Sequence, residues 1–212
     1  SYLYYADRIY QINLAIAGIA VGTVSLPVLS KAFKKRNIFK ISNIQSRSIE
    51  LCLALSIPAS IGLILASDEI INALFGYGSF NIKDVEMTAS ALKYFGYGIP
   101  AFALIKILSN FFFARNDTKT PFYISSFVVV LNIIISITFF NKIGFIIIPI
   151  ATSISTWIGV LVYILLLNLK NYLLLKDYLI KSIFKIIFST VLMSFLLIVA
   201  LNHYSNYLDY TF

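Results

Sequence analysis

The apolar positions of this chain gather into six runs, at about Ala6 to Leu29, Ile49 to Leu65, Thr88 to Phe113, Phe122 to Phe140, Phe145 to Leu167 and Ile183 to Leu201, with short polar stretches between them. Runs of roughly 18 to 25 residues are the length of helix that crosses about 30 Å of hydrocarbon. They are too long and too uniformly apolar to be spanning strands, which alternate lipid-facing and lumen-facing residues over about ten positions. The pattern therefore predicts an all-α, polytopic transmembrane bundle of about six helices.

Composition agrees and excludes a water-soluble domain. Hydrophobic residues are 59% of the 212 and charged residues 12%, with a mean hydropathy of +0.88, whereas soluble domains run near a quarter charged. No low-complexity stretch or repeat of 20 to 50 residues divides the chain, so residues 1–212 are expected to form a single transmembrane domain. The first residue is Ser1, and no basic stretch, short apolar run and small-residue cleavage site follow it, so a piece of a larger protein is expected. Cys52 is the single cysteine and lies inside an apolar run. It is read as a packed, inert thiol.

Net charge is +8, and its placement matters more than its size. Of the 17 basic residues, six (Lys31, Lys34, Lys35, Arg36, Lys40, Arg47) lie in the first link, two (Arg115, Lys119) in the third and four (Lys170, Lys176, Lys181, Lys185) in the fifth. The second link instead carries Asp68, Glu69, Asp84 and Glu86. By the positive-inside rule the basic links face the cytoplasm, so the first helix starts outside and the tail 202–212 ends outside. The cluster at Lys31 to Lys40 is read as a topology signal in contact with anionic lipid, with no nucleic-acid partner.

Local signals place turns and breaks. Leu74 to Asn81 reads as an external turn whose two glycines allow positive φ. In the third link Thr120 can cap the next helix, with Pro121 in its first position. Gly96-Tyr97-Gly98-Ile99-Pro100 is the best candidate for a hinge.

Candidate chemistry concentrates at the start of the first helix. Asp7, Arg8 and Gln11 share one helical face, and intramembrane charges of this kind face protein or a water-filled cavity. Ala15, Gly18 and Gly22 continue that face as a small-residue stripe. The planar fork of Arg8 suits a phosphate; pairing with an acid on another helix, or snorkelling to headgroups, would explain it too. Lys106, near the middle to inner half of the third helix, either adds positive charge to a cavity or packs with a partner. Asn132, Ser136 and Thr152 form an oxygen-rich group suited to a hard cation such as sodium, or to hydrogen bonding between helices. No metal site is expected around His203, the lone histidine, and no P-loop, nucleophile elbow or paired-carboxylate motif suggests an enzyme.

The stretch YYADRIYQINLAIAGIAVGTVSLPVLSK, Tyr4 to Lys31, resembles the MurJ/MviN family of lipid II flippases. Leu74 to Asp84, Phe112 to Pro121 and Ala151 to Trp157 resemble it in the same order. The resemblance covers the chain to about Trp157, and the sixth helix matches in character only. It implies one lobe of a MATE-like fold of the multidrug, oligosaccharidyl-lipid and polysaccharide exporter superfamily. Residues 1–167 would be five helices of the C-terminal lobe, and 168–212 a cytoplasmic link, one additional helix and an external tail. The N-terminal lobe, one lobe helix before Ser1 and the last helix would lie elsewhere in the protein.

The resemblance further implies lipid II as substrate, moved by alternating access between leaflets of the bacterial inner membrane. It places Asp7, Arg8 and Gln11 on the cavity lining, with membrane lipids and the N-terminal lobe as partners. It implies no cofactor beyond coupling to the membrane potential or a monovalent cation. Gln11 stands where some members carry an acid, which puts a proton-coupled role there in doubt. Asn13 and Ala15 replace the proline and glycine frequent in the motif, and Tyr77 a common basic residue. Alternatives are a polysaccharide-lipid or multidrug exporter of the same superfamily, a membrane-embedded prenyl-pyrophosphate transferase, for which a paired-acid motif would be needed, and a non-transporting scaffold.

Overall fold

The computed structural model describes residues 2–78 and 80–209, with side chains as far as His203. Ser1, Ser79 and residues 210–212 lie outside the described residues, as do the side chains of 204–209; part of the expected external turn and most of the expected tail therefore fall there. The described chain is built of helices joined by short links: α1 (Tyr2–Leu14), a π-helical segment (Ala15–Ala20), α2 (Val21–Lys34), α3 (Ile38–Leu65), α4 (Ser67–Phe75), α5 (Ile82–Gly96), α6 (Ile99–Phe113), α7 (Lys119–Ile143), a 3₁₀ turn (Gly144–Ile146), α8 (Ile147–Leu169) and α9 (Tyr178–Asp209). Four continuous stretches are apolar and long enough to cross a membrane, and α5 with α6, bent by 40°, makes a fifth. One of the four, Lys119–Leu169, is a hairpin. Asn132 bonds Thr152, and Tyr163 bonds Pro121, so α7 and α8 run antiparallel. Six passes result, as the apolar runs predict.

Long-range pairs give their relative directions. The first pass (α1, the π segment and α2) runs parallel to the third (α5 and α6), because Tyr10 stacks on Phe95 and Phe102 while Gly22 meets Asn110 further along both. The three basic links converge at one end. There the Arg115 guanidinium lies 4.1 Å from the Phe33 ring centroid and 4.0 Å from that of Tyr172, and donates to the carbonyls of Phe111 and Tyr172 at 3.0 and 2.9 Å. Burial pulls the Arg115 pKa down to about 10, which leaves it charged at neutral pH. Buried Gln45 of α3 also donates to the Tyr172 carbonyl at 3.0 Å and accepts from Leu174 N–H at 2.9 Å, tying the fifth link to the second pass. At the opposite end Tyr2 donates to Asp84 at 2.8 Å and its ring packs on Phe145.

Two local expectations are corrected. α7 begins at Lys119, and the side chain that takes its free Thr120 N–H is Asp117, at 3.0 Å. Thr120 is therefore not the cap. Pro121 is the third residue of α7, still within the turn whose N–H groups have no intrahelical partner. Among the described residues of the turn expected to be external, only Gly78 takes positive φ, at 74°; Gly76 does not.

Burial pushes the Asp117 carboxyl up, but the bonds from Thr120 and Lys170 and the Lys170 charge at 2.9 Å outweigh it and bring the pKa to about 2. A carboxylate depressed in the fold adds stability above its unfolded pKa near 4 and loses it as pH falls toward 2. Asp117→Asn should accordingly lower the melting temperature at neutral pH and flatten the acid limb of the profile, the two proteins converging as pH falls from about 4 to 2.

The packed interior forms two clusters. One lies toward the basic end around Leu29, Ile107, Phe111, Phe112 and Tyr163, the other toward the far end around Tyr10, Ile71, Leu92 and Ile99. By contrast α7 and α9 present long exposed apolar faces, including Phe122, Ile137, Phe184, Phe188 and Phe195.

The bend between α5 and α6 is where the Gly-Pro signal places it, and it is held from two sides. A helix end leaves carbonyls without partners, which is costly in lipid. Ser60 of α3 donates to Gly96 O at 2.7 Å, Ser153 of α8 to Tyr94 O at 2.7 Å, and Trp157 of α8 to Tyr97 O at 2.9 Å. A Cβ on Gly98 would stand 2.8 Å from Ser153 Oγ, so glycine lets α8 approach. Ser153→Ala should lower stability by about 1 kcal/mol, the net worth of one part-buried hydrogen bond, read as a fall in melting temperature in detergent.

Candidate functional site: a polar line along the first pass

α1 buries Ala6, Ile9 and Tyr10 against α5 and turns Tyr4, Arg8 and Gln11 outward, with Asp7 half-buried between. The sequence dictates this division, since the apolar and polar positions of Tyr4 to Gln11 separate at helical spacing. Gln11 Nε2 donates to Asp7 Oδ2, so the carboxylate and amide form one unit. Arg8 Nη2 donates to Tyr4 Oη at 3.2 Å, and its guanidinium lies 4.9 Å from the centroid of that ring. The ion pair Lys170–Asp117 is the one found among the described residues, so no acid of this described part neutralises Arg8. One of its five planar donors is used, and the others stay open to whatever lies against this face.

The exposed line that starts at Arg8 continues through Gln11, Ala15 and Ile19 into a groove of about 660 Å³ between the first pass, α6 and α7. Gly18 and Gly22 allow the wall to close up: a Cβ on Gly18 would lie 3.1 Å from Ala103 Cα, and one on Gly22 3.3 Å from Asn110 Nδ2. Asn110 donates to Gly22 O at 2.8 Å and docks α6 onto α2. Lys106, one turn before it, is exposed into the groove with Thr23, Ser109 and Ser125 around it.

The four predicted lining residues thus fall into two stations and not one. Asp7, Arg8 and Gln11 meet at the end of the first pass away from the basic links. Lys106 lies level with about Gly18, some ten residues, or about 15 Å, further along the first pass. The second candidate group is brought together as expected: Asn132 Nδ2 donates to Thr152 Oγ1 at 2.9 Å, Ser136 Oγ to Asn132 Oδ1 at 3.3 Å, and Thr152 Oγ1 to Ile148 O at 2.7 Å. Here the amide offers its NH₂ to Thr152, an arrangement that bonds α7 to α8. A hard cation would need that amide turned and further oxygens added.

Sequence reasoning missed the Tyr4 platform under Arg8, although its i, i+4 spacing was available. It also missed the π-helical segment, which has no proline or glycine-pair signature of its own.

A model of the family described as lipid II flippase MurJ matches residues 1–212. The chain belongs to that family. The match extends past Trp157, where the sequence motifs stop, to the sixth pass. A protein of Rhizobium tropici named a probable lipid II flippase MurJ is 43% identical over 157 residues, covering 74% of this chain and 30% of that protein. Its counterpart in Rickettsia prowazekii is 40% identical over 157 residues, 74% of this chain and 31% of the other. Among solved structures, a lipid II flippase MurJ in an inward closed conformation superposes with a TM-score of 0.83 at 30% identity, over 94% of this chain and 41% of that one. The chain thus spans about three tenths of the length of these curated relatives. With MurJ membership the helical bundle is a membrane transporter fold of the exporter superfamily.

Proposed function

We propose that this chain is the C-terminal-lobe part of a lipid II flippase, moving the undecaprenyl-pyrophosphate-linked precursor from the inner to the outer leaflet of the bacterial inner membrane by alternating access. The observation that carries this reading beside family membership is Arg8, a cation with no acid partner among the described residues and with free donors on an exposed face. Its fork suits a pyrophosphate, and Lys106, further along the same line, extends the positive lining inward. The prenyl tail would stay in lipid while the headgroup moves between this lobe and the N-terminal one, each rocking against the other about a central cavity.

In this reading residues 1–167 belong to the lobe, and the remainder supplies the link and one additional helix. The convergence of the basic links supports a cytoplasmic position for that end, with the start of α1 outside. Drive comes from the membrane potential or a monovalent cation, for which the Asn132 group offers oxygens but too few alone.

The test is reconstitution of the full-length protein in proteoliposomes loaded with lipid II in one leaflet, with exposure in the other leaflet followed by a pyrophosphate-binding probe. Protein-dependent appearance of the probe signal is expected. A protein that moves a polysaccharide-linked lipid and leaves lipid II in place would refute the reading in favour of the related exporters.

A further inference from the structure

A second groove, of about 530 Å³, runs between the first pass and the early part of α3. Val24 and Val28 form one wall and Leu51 and Leu55 the other, while Asn43 and Arg47 stand at the end nearer the basic links. From Arg47 and Val28 to Leu55 and Ile16 is eight to twelve residues of helix, roughly 12–18 Å, or about one leaflet of a 30 Å hydrocarbon core. The groove therefore opens at one membrane surface and ends near mid-bilayer. That depth fits a hydrocarbon chain confined to one leaflet and not the far longer polyprenyl chain of the transport substrate.

The mouth is positive. Arg47 is exposed and has no hydrogen bond or ion pair among the described residues. Lys40 lies two turns earlier on the same stripe of α3, and Lys31 one turn beyond Val28 on α2, both exposed. The nearest acid in sequence, Glu50, shares its stripe with Ser46 and Ile57. These face the fifth link and α9, since Ser46 Oγ accepts from Lys176 N–H and Ile57 packs beside Ile187.

We propose that this groove binds an anionic phospholipid of the leaflet at the basic end. Arg47 holds the phosphate, with Lys31 and Lys40 favouring a net negative headgroup, and one acyl chain lies along Val24, Val28, Leu51 and Leu55. Arginine matches phosphate geometry with two parallel donors, and a basic pocket between helices at the membrane surface is the setting in which lipid headgroups are recognised. The proposal goes beyond the transport reading and does not depend on it, because it needs only a bilayer.

The experiment places the full-length protein in phosphatidylcholine nanodiscs with a trace of photoactivatable phosphatidylglycerol or photoactivatable phosphatidylcholine, each reactive midway along an acyl chain, and maps crosslinked peptides by mass spectrometry. The peptide carrying Leu51 and Leu55 should be labelled several-fold more by phosphatidylglycerol. Arg47→Lys should keep that preference, and Arg47→Gln should bring the two lipids to parity. Val24→Trp, which fills the groove without altering charge, should cut the labelling several-fold with both lipids. Lys142→Gln at the opposite end should change nothing. Equal labelling in the unaltered protein, as expected if another part of the longer chain covers the groove, would overturn the site. A preference surviving Arg47→Gln would overturn the headgroup role, and labelling surviving Val24→Trp would overturn the groove.

Discussion

Arg8→Ala in the full-length protein is expected to reduce lipid II translocation at least tenfold while leaving the melting temperature within about a degree of the unaltered chain. The two halves of that expectation have separate causes. Arg8 is exposed and rests only on Tyr4, so its removal empties no packed space and breaks one hydrogen bond. A surface substitution of that kind typically moves stability by no more than about 0.5 kcal/mol. A charge-assisted, bidentate contact to a phosphate is worth roughly 1.5–3 kcal/mol, and about 1.4 kcal/mol is already a factor of ten. Arg8→Lys should fall between, because an ammonium keeps the charge and loses the fork. Unchanged translocation in Arg8→Ala would remove the proposed headgroup role. A large loss of melting temperature would instead give Arg8 a structural one.

The largest effect on stability is expected at Arg115. Its guanidinium is stacked between Phe33 and Tyr172 and donates to two carbonyls from different parts of the chain. Arg115→Ala removes both stacking contacts, takes the side-chain donor from Phe111 O, leaves Tyr172 O with Gln45 alone, and loosens the fifth link from the first and third. Roughly 3 kcal/mol is expected, since hydrogen bonds from a charged donor contribute about 1.5–3 kcal/mol and cation–π contacts about 0.5–2 kcal/mol without adding in full. Labelling of Cys52 by a thiol-reactive dye during heating provides the measurement, because that thiol is fully buried in the fold and becomes reachable on unfolding. Arg115→Lys should recover part of the loss. If Arg115→Ala melts with the unaltered protein, the three links are held together by something other than this stack.

These two arginines also mark how far the sequence could be read. Arg8 stands out because a charge near the start of an apolar run is conspicuous, and its helical register with Asp7 and Gln11 is local. Arg115 looks like any basic loop residue. Its rings come from Phe33 and Tyr172, which lie 82 and 57 positions away, and no periodicity encodes such a meeting. The same distinction separates the bend at Gly96 to Pro100, visible from its own residues, from the clamp of Ser60, Ser153 and Trp157, which depends on how α3 and α8 pack around it.

The six passes were legible because an apolar stretch of membrane length leaves few alternatives. Short amphipathic α4 was hidden inside what reads as a polar link, since nine residues with Asp68 and Glu69 in the first turn do not resemble a span. Lys106 was singled out for its depth in an apolar run, and it does face open space. Its distance from Arg8 could not be read, because that depends on the parallel pairing of the first and third passes.

The π-helical segment at Ala15–Ala20 has a consequence for mutational scanning. Hydrogen bonds from i to i+5 place one more residue in the turn than an α-helix does, and each residue turns the helix by about 100°. A tryptophan scan down the first pass should therefore give two wave trains of the same wavelength, out of step by about one residue. Tolerant positions up to Gln11 and Ile12 set the first, and those from Ile19, Thr23 and Val24 onward set the second. Fitting a single wave through both would misplace the two segments relative to each other by about 100° around the helix axis.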